Sequence, residues 1–481
     1  MKNNQLRTFI IIGLLSILLI GCSGGIQKYQ SLSAVNDVEE VQTSQAETKE
    51  GENPVEEVSL TTAMDVESAK FSIKADPDLQ EVIAELYGSV FEGEAPLFVD
   101  ENPDLIATRA SGNRDGRPYI QPTFLPDAVL IPETDNLDVY NFINFAISPD
   151  GQQALIDMGA LPEIISLIDQ AGNLVEIQQP IRRVISAYGP ASAIVYSVNG
   201  WDRLVSAAYL GARDPQGAAA MERIDPRFPD LVGDAYFSQK EFNLEQAAKL
   251  EPDLIIGSFR SAWIDTVKEL GVPLFMVEAE TSQQLREAVL MIGQLFGPNS
   301  QAQAQAWVDY YDWIIESIQG QLSGILPDEK PHVLFTGTEA LRVVSGDMYQ
   351  TTMIDAAGGI SASAELSGYW NDINIEQVAV WNPDLIIVPP YGGASVGAIT
   401  ENPEWQIIDA VMQGQVFLMP KLVVPWDTPA PDSVLGIVWI AELIHPDSVE
   451  LSCAIETEFF YNTFYSYAIT KDEITSICNY E

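Results

Sequence analysis

A short block of sequence occurs twice in this chain, and that repeat governs what the chain can fold into. Asn243-Leu244-Glu245-Gln246 is followed by Pro252-Asp253-Leu254-Ile255-Ile256, and Asn374-Ile375-Glu376-Gln377 by Pro383-Asp384-Leu385-Ile386-Ile387. Both parts of the block keep one offset of 131 residues, from 243 to 374 and from 252 to 383. A single match would be cheap, but two in one register imply a duplicated α/β lobe. Each copy also reads locally. An Asn cap with Gln three residues on opens a helix, Pro-Asp turns the chain, and Leu-Ile-Ile enters a buried strand.

Between the copies, Trp307, Tyr311, Ile314, Ile318 and Leu322 recur at helical spacing. They predict a helix over 300–323, roughly 35 Å long at 1.5 Å per residue and able to brace two lobes. Ser300 is expected to cap it with Gln303 reaching back, while Pro298 stops the preceding helix. Around it, strands at 183–187, 204–207, 254–257 and 274–277 alternate with helices, and strands at 333–336, 385–388 and 416–419 do so again. Such alternation implies α/β lobes with parallel sheets covered on both faces. The lobes are expected at 181–299 and 331–481, the second ending in C-terminal helices. The aromatics Phe459, Phe460, Tyr461, Phe464, Tyr465 and Tyr467 are expected to dock a tail helix.

The first 70 residues read as an address and a tether. Lys2 and Arg7 precede an apolar run ending Leu19-Ile20-Gly21-Cys22, which resembles a bacterial lipoprotein signal over 1–21 with Cys22 as the lipidated residue. The run is shorter than the roughly 20 apolar residues a membrane span needs. Residues 22–70 are rich in Glu, Ser, Thr and Gln and read as an acidic disordered tether. Within 71–170, Phe142 to Gln153 and Gly159-Ala160-Leu161-Pro162 resemble the closing helices of molybdate- or phosphate-type extracellular binding proteins. The region is too short for two such lobes, so it is expected to be a shortened piece.

Composition sets the partners. With 69 acidic against 24 basic residues the net charge is −45, which repels nucleic acid and does not seek an anionic membrane surface. Cys453 and Cys478 are a disulfide candidate pair, with two free buried thiols as the alternative. The two histidines, His332 and His445, form no cluster with metal-ligand spacing, and both read as structural. Gly392-Gly393 to Gly397 lacks the G-x-G-x-x-G form, and neither a G-x-S-x-G elbow nor a phosphate loop occurs, so an enzyme is not expected.

From about 181 to 467 the sequence resembles the substrate-binding proteins of ABC importers for iron-siderophores, haem and cobalamin. The resemblance is carried by Tyr188-Gly189-Pro190, the two repeated blocks, the helix between them, Ala356-Ala357-Gly358-Gly359-Ile360 and Leu435-Gly436-Ile437-Val438-Trp439. It implies two Rossmann-like lobes joined by one long rigid helix, with a ligand cleft between them. It implies a monomer that captures a metal chelate and delivers it to a permease dimer with its ATPase, from the extracytoplasmic face of the membrane. No resident cofactor is implied; the ferric chelate or corrinoid is cargo.

The resemblance assigns Glu245 and Glu376, one on each lobe, to permease docking. The plain alternative is that each carboxylate complements a helix N-terminus. Open α/β sheets place ligands at the C-terminal ends of their strands. That selects Tyr188, Tyr236, Phe237, Arg260 and Trp263 from the first lobe. From the second it selects Glu339, Arg342, Tyr349, Tyr369, Trp370, Tyr391, Trp426 and Asp427. Aromatics with a few arginines suit a bulky chelate. Molybdate or tungstate is the alternative cargo and would need Arg260, Arg342 or backbone N–H groups. A ligand-sensing surface module is the alternative of another class.

Overall fold

The computed structural model describes residues 69–109, 120–208, 215–232 and 237–479; Cys22, the acidic stretch before residue 69, and Tyr236 lie outside them. The first lobe is built on four strands, β1 (Val184–Ser186), β2 (Leu204–Ala207), β3 (Leu254–Gly257) and β4 (Leu274–Met276). All are parallel, in the order β4-β3-β1-β2. The second lobe has β5 (His332–Phe335), β6 (Ile360–Ser361), β7 (Leu385–Val388) and β8 (Val416–Leu418), again all parallel, in the order β6-β5-β7-β8. Pairing β1 with β5, β2 with β6, β3 with β7 and β4 with β8 makes the two orders identical. The central strands β3 and β7 begin at 254 and 385, the spacing of the sequence repeat, and every residue of both is buried.

The helices of the repeat, Leu244–Lys249 and Ile375–Trp381, are capped as their sequences require. Asn243 Oδ1 accepts from the Gln246 N–H at 3.0 Å, and Asn374 Oδ1 from the Gln377 N–H at 2.9 Å.

The bridging helix runs Pro298–Gln321 and starts two residues before the expected Ser300. Gly297, at φ 93°, turns the chain, and Pro298 takes the first helical position, where its missing N–H costs nothing. Ser300 is therefore not the cap but a buried residue of the first turn. Gln303 does not reach back either; its amide donates to the Thr463 carbonyl at 2.9 Å. Trp307, Ile314 and Ile318 are fully buried, and so is Tyr310 on another side of the helix. The reason is the C-terminal helix Cys453–Phe464, which lays Phe459, Phe460 and Phe464 against the Tyr310 ring, while Tyr310 Oη donates to the buried Glu456 at 2.9 Å. Covered on two sides, the helix carries one apolar core from the first lobe into the second.

Cys453 and Cys478 are joined in a disulfide. The bridge ties the last helix, Lys471–Ile477, to the aromatic helix. Glu473 then pairs with Arg223, whose guanidinium lies 4.9 Å from the Tyr467 ring centre, so the chain end clasps the first lobe.

Ahead of the lobes, residues from Ser72 to Pro132 form a five-stranded mixed sheet packed against the helices Gln80–Val90, Leu137–Ile147 and Pro149–Asp157. Its core is its own: Ile73, Leu86, Leu105, Leu130, Phe142 and Leu155 are fully buried together. It abuts the start of the bridging helix, where Gln152 donates to the Phe296 carbonyl at 2.7 Å and Asn299 Oδ1 accepts from the Thr123 N–H at 3.1 Å. A hairpin, Ile164–Ile168 with Leu174–Gln178, follows. Val175 and Ile177 enter the core of the lobes, and the turn residue Gln170 donates its N–H to Met276 of β4 at 3.0 Å.

His445 is buried, with Nε2 3.2 Å from the Gly358 carbonyl, and burial lowers its pKa. Among the described residues no group of His, Cys, Asp and Glu has the arrangement to hold a metal ion. No described helix is long and apolar enough to cross a membrane.

Candidate functional site

In a parallel sheet every strand ends on the same side, so the loops after β1, β3 and β4 share one edge, and those after β5, β7 and β8 share another. The first edge is ionic. Arg260, after β3, donates to Glu278 Oε2 at 2.7 Å and to Glu280, both of which follow β4. Glu278 is buried and also accepts from Ser258 Oγ, which is itself held by Gln239 Nε2 at 2.9 Å. Tyr188, after β1, is buried and points its hydroxyl at Glu280 from 3.5 Å. Burial works against the Arg260 charge, but the hydrogen bonds and charges of Glu280 and Glu278 outweigh it and raise its pKa. Burial, helped by the same carboxylates, pushes the Tyr188 phenol up.

The second edge centres on Asp427, after β8, which is fully buried. Tyr391, after β7, donates its hydroxyl to Asp427 Oδ2 at 2.5 Å. Gln350, after β5, donates to the Asp427 carbonyl at 3.0 Å and lies 3.5 Å from Oδ2. Burial raises the Asp427 pKa to about 6, against the lowering effect of these hydrogen bonds.

Among the described residues a hydrogen bond spans the edges: Arg260 Nη1 donates to the hydroxyl of the exposed Tyr369 at 2.9 Å. The space between the edges is therefore the interlobe cleft; Arg260, Tyr369 and Tyr391 are brought to it, and Tyr188 and Asp427 are buried behind them. Trp370 packs over Gly337, where a Cβ would meet its ring at 2.7 Å. Arg342 stands 3.9 Å from Asp372, and Glu339 is exposed.

Other aromatics selected from the sequence are interior residues. Phe237 and Trp263 share a small core of the first lobe, both ringed against Phe242, and Trp263 Nε1 donates to the Ser238 carbonyl at 2.7 Å. Tyr349 is buried with its hydroxyl 2.7 Å from Ser433 Oγ, and Trp426 is fully buried with Nε1 3.3 Å from Tyr461 Oη. Strand-end positions alternate between the cleft and the layer beneath it, and sequence spacing does not distinguish the two. Sequence reasoning also missed Glu278, Glu280 and Gln350. The only signal for the two glutamates was their place after β4.

Glu245 and Glu376 occupy the second position of equivalent helices, and both are exposed. Glu245 is paired with Lys249 at 2.8 Å, which lowers its pKa. At the matching position of the second lobe stands Val380, itself exposed.

Residues 237–422 match the Periplasmic binding protein family model. The molybdate-binding protein MolA of Haemophilus influenzae is 22% identical over 243 residues, 49% of this chain and 68% of that protein. A vitamin B12-binding protein of Photorhabdus laumondii is 23% identical over 223 residues, 46% of this chain and 74% of that protein. A periplasmic solute-binding protein of Veillonella parvula superposes with a TM-score of 0.59 at 25% identity, covering 65% of this chain and 96% of its own. In its two parallel-sheet lobes, their shared topology and the sequence of residues 237–422, the chain resembles the periplasmic binding proteins.

Proposed function

We propose that the chain is the extracytoplasmic substrate-binding protein of an ABC importer and that its cargo is a metal chelate, with iron-siderophores first and cobalamin or haem next. It is a binding protein and not an enzyme. Cys22 carries the lipid that anchors it, and Glu245 and Glu376 meet the permease, one from each lobe. The observation that carries the reading is the Arg260–Tyr369 bond across two facing sheet edges, which supports taking the interlobe space as the ligand site. Tyr369, Tyr391 and Trp370 supply aromatic surface there for an organic shell.

A second reading, molybdate or tungstate, is favoured by one of the relatives, which is named for molybdate. Against it, Arg260 already answers two carboxylates, so an oxyanion would have to compete for a neutralised guanidinium. Tryptophan fluorescence titrated with ferric siderophores, haemin, cyanocobalamin, molybdate and tungstate separates the readings. Saturable quenching by a chelate is expected. A response confined to the oxyanions would replace the first reading with the second.

A further inference from the structure

Two hydrogen-bonded neighbours beneath the second-lobe edge of the cleft each carry an acceptor atom to which no described residue hydrogen-bonds. The atoms are Oδ1 of Asp427 and Oε1 of Gln350, both buried. Each belongs to a side chain whose other contacts are made: Gln350 Nε2 spans the Asp427 carbonyl and Oδ2, and Tyr391 covers Oδ2. A buried carboxylate oxygen without a donor is costly, far more so when no cation accompanies it, and Asp427 has no ion-pair partner among the described residues. Such pairs of unsatisfied acceptors are retained where something else supplies the donors. The opposite edge points the same way, because Glu278 and Glu280 together exceed the charge of Arg260.

We infer that Asp427 and Gln350 form a subsite for a hydrogen-bond-donating, non-anionic arm of the ligand, a primary amide or an alkylammonium group. The inference rests on the cleft reading above and narrows its ligand class. The arm's N–H groups satisfy Asp427 Oδ1 and Gln350 Oε1 together, while the amide of Gln350 holds the carboxylate in place. Tyr391 covers the site from the cleft side, and the arm enters by displacing its phenol. Carboxylate-rimmed chelates and free oxyanions bring acceptors to acceptors and are turned away.

The test is calorimetric titration of the mature protein with four probes: cyanocobalamin, which carries primary amides; ferrioxamine B, which carries an ammonium; haemin, which carries carboxylates; and molybdate. Wild type is expected to prefer one of the first two over both of the others by at least about tenfold in Kd. Asp427→Asn and Gln350→Met should each weaken that binding by about tenfold or more, the loss of a charge-assisted or buried hydrogen bond. Tyr391→Phe, which keeps the ring and removes only the phenol's hydrogen bond to Asp427, should weaken it less than either. A role for Asp427 limited to holding Tyr391 predicts equal losses in Asp427→Asn and Tyr391→Phe, and that outcome overturns the inference. So does a wild type that prefers haemin or molybdate, or an Asp427→Asn protein, folded by circular dichroism, with unchanged Kd. Failure of wild type to bind any probe would instead sink the cleft reading itself.

Discussion

Two aspartates of one loop hold buried charge against hydroxyls instead of cations. Asp427 and Asp432 are both fully buried; Asp432 accepts from Tyr461 Oη at 2.7 Å and Tyr465 Oη at 2.6 Å. Burial raises each pKa from 3.8 to about 6, with the tyrosine hydrogen bonds opposing it. Because the folded pKa lies above the unfolded one, the native state binds the extra protons between pH 4 and 6. Stability is therefore lost as pH rises through that window, by at most about 3 kcal/mol per group. The thermal midpoint of the unliganded protein should be higher at pH 5 than at pH 7.5. Asp432→Asn should recover part of the difference at pH 7.5 and change little at pH 5. A midpoint difference that the variant leaves intact would assign the slope to the general self-repulsion of a chain at −45.

At the scale of elements, the bridging helix is held less by its own propensity than by what covers it. Tyr310, Glu456 and the three phenylalanines pin the aromatic helix to it, and the Cys453–Cys478 bridge pins the last helix to the aromatic one. The bridge closes a loop with a sequence separation of 25 residues, for which the chain-entropy model gives roughly 3 kcal/mol. Cys453→Ser with Cys478→Ser should lower the denaturation midpoint accordingly and free the Arg223–Glu473 contact, measurable by faster amide exchange in 471–477. Unchanged exchange there would show that Arg223 and Tyr467 hold the tail without the bridge.

For the whole molecule, the duplicated lobes present equivalent exposed glutamates, and transport is where that symmetry can be tested. Glu245→Arg with Glu376→Arg should abolish uptake in cells while leaving ligand affinity in solution unchanged, because both side chains are exposed and Glu245 is engaged only with Lys249 of its own helix among the hydrogen bonds described. Normal uptake by the double variant would leave both residues as helix-terminus charges. The Glu245–Lys249 pair is exposed and contributes little to stability, so the variant should fold.

The order of elements was legible because it is written in local chemistry. Asn caps, Pro-Asp turns and runs such as Leu385-Ile386-Ile387 act over a few residues, and the 131-residue repeat carried that reading from one lobe to the other. The bridging helix was legible for the same reason, apart from its start, where Gly297 and Pro298 replaced the Ser300 cap. What only the tertiary structure decided is which polar groups meet. Arg260 and Tyr369 are 109 residues apart, Gln350 and Asp427 are 77, and neither pair leaves a trace in spacing. Whether Trp263 or Tyr391 faces the cleft depends on which side of a loop the core beneath it pulls inward, and whether Arg260 is available depends on Glu278 and Glu280 arriving from another strand. Burial and charge pairing are properties of the packed chain, so the fold could be read from the sequence, and the chemistry of the cleft could not.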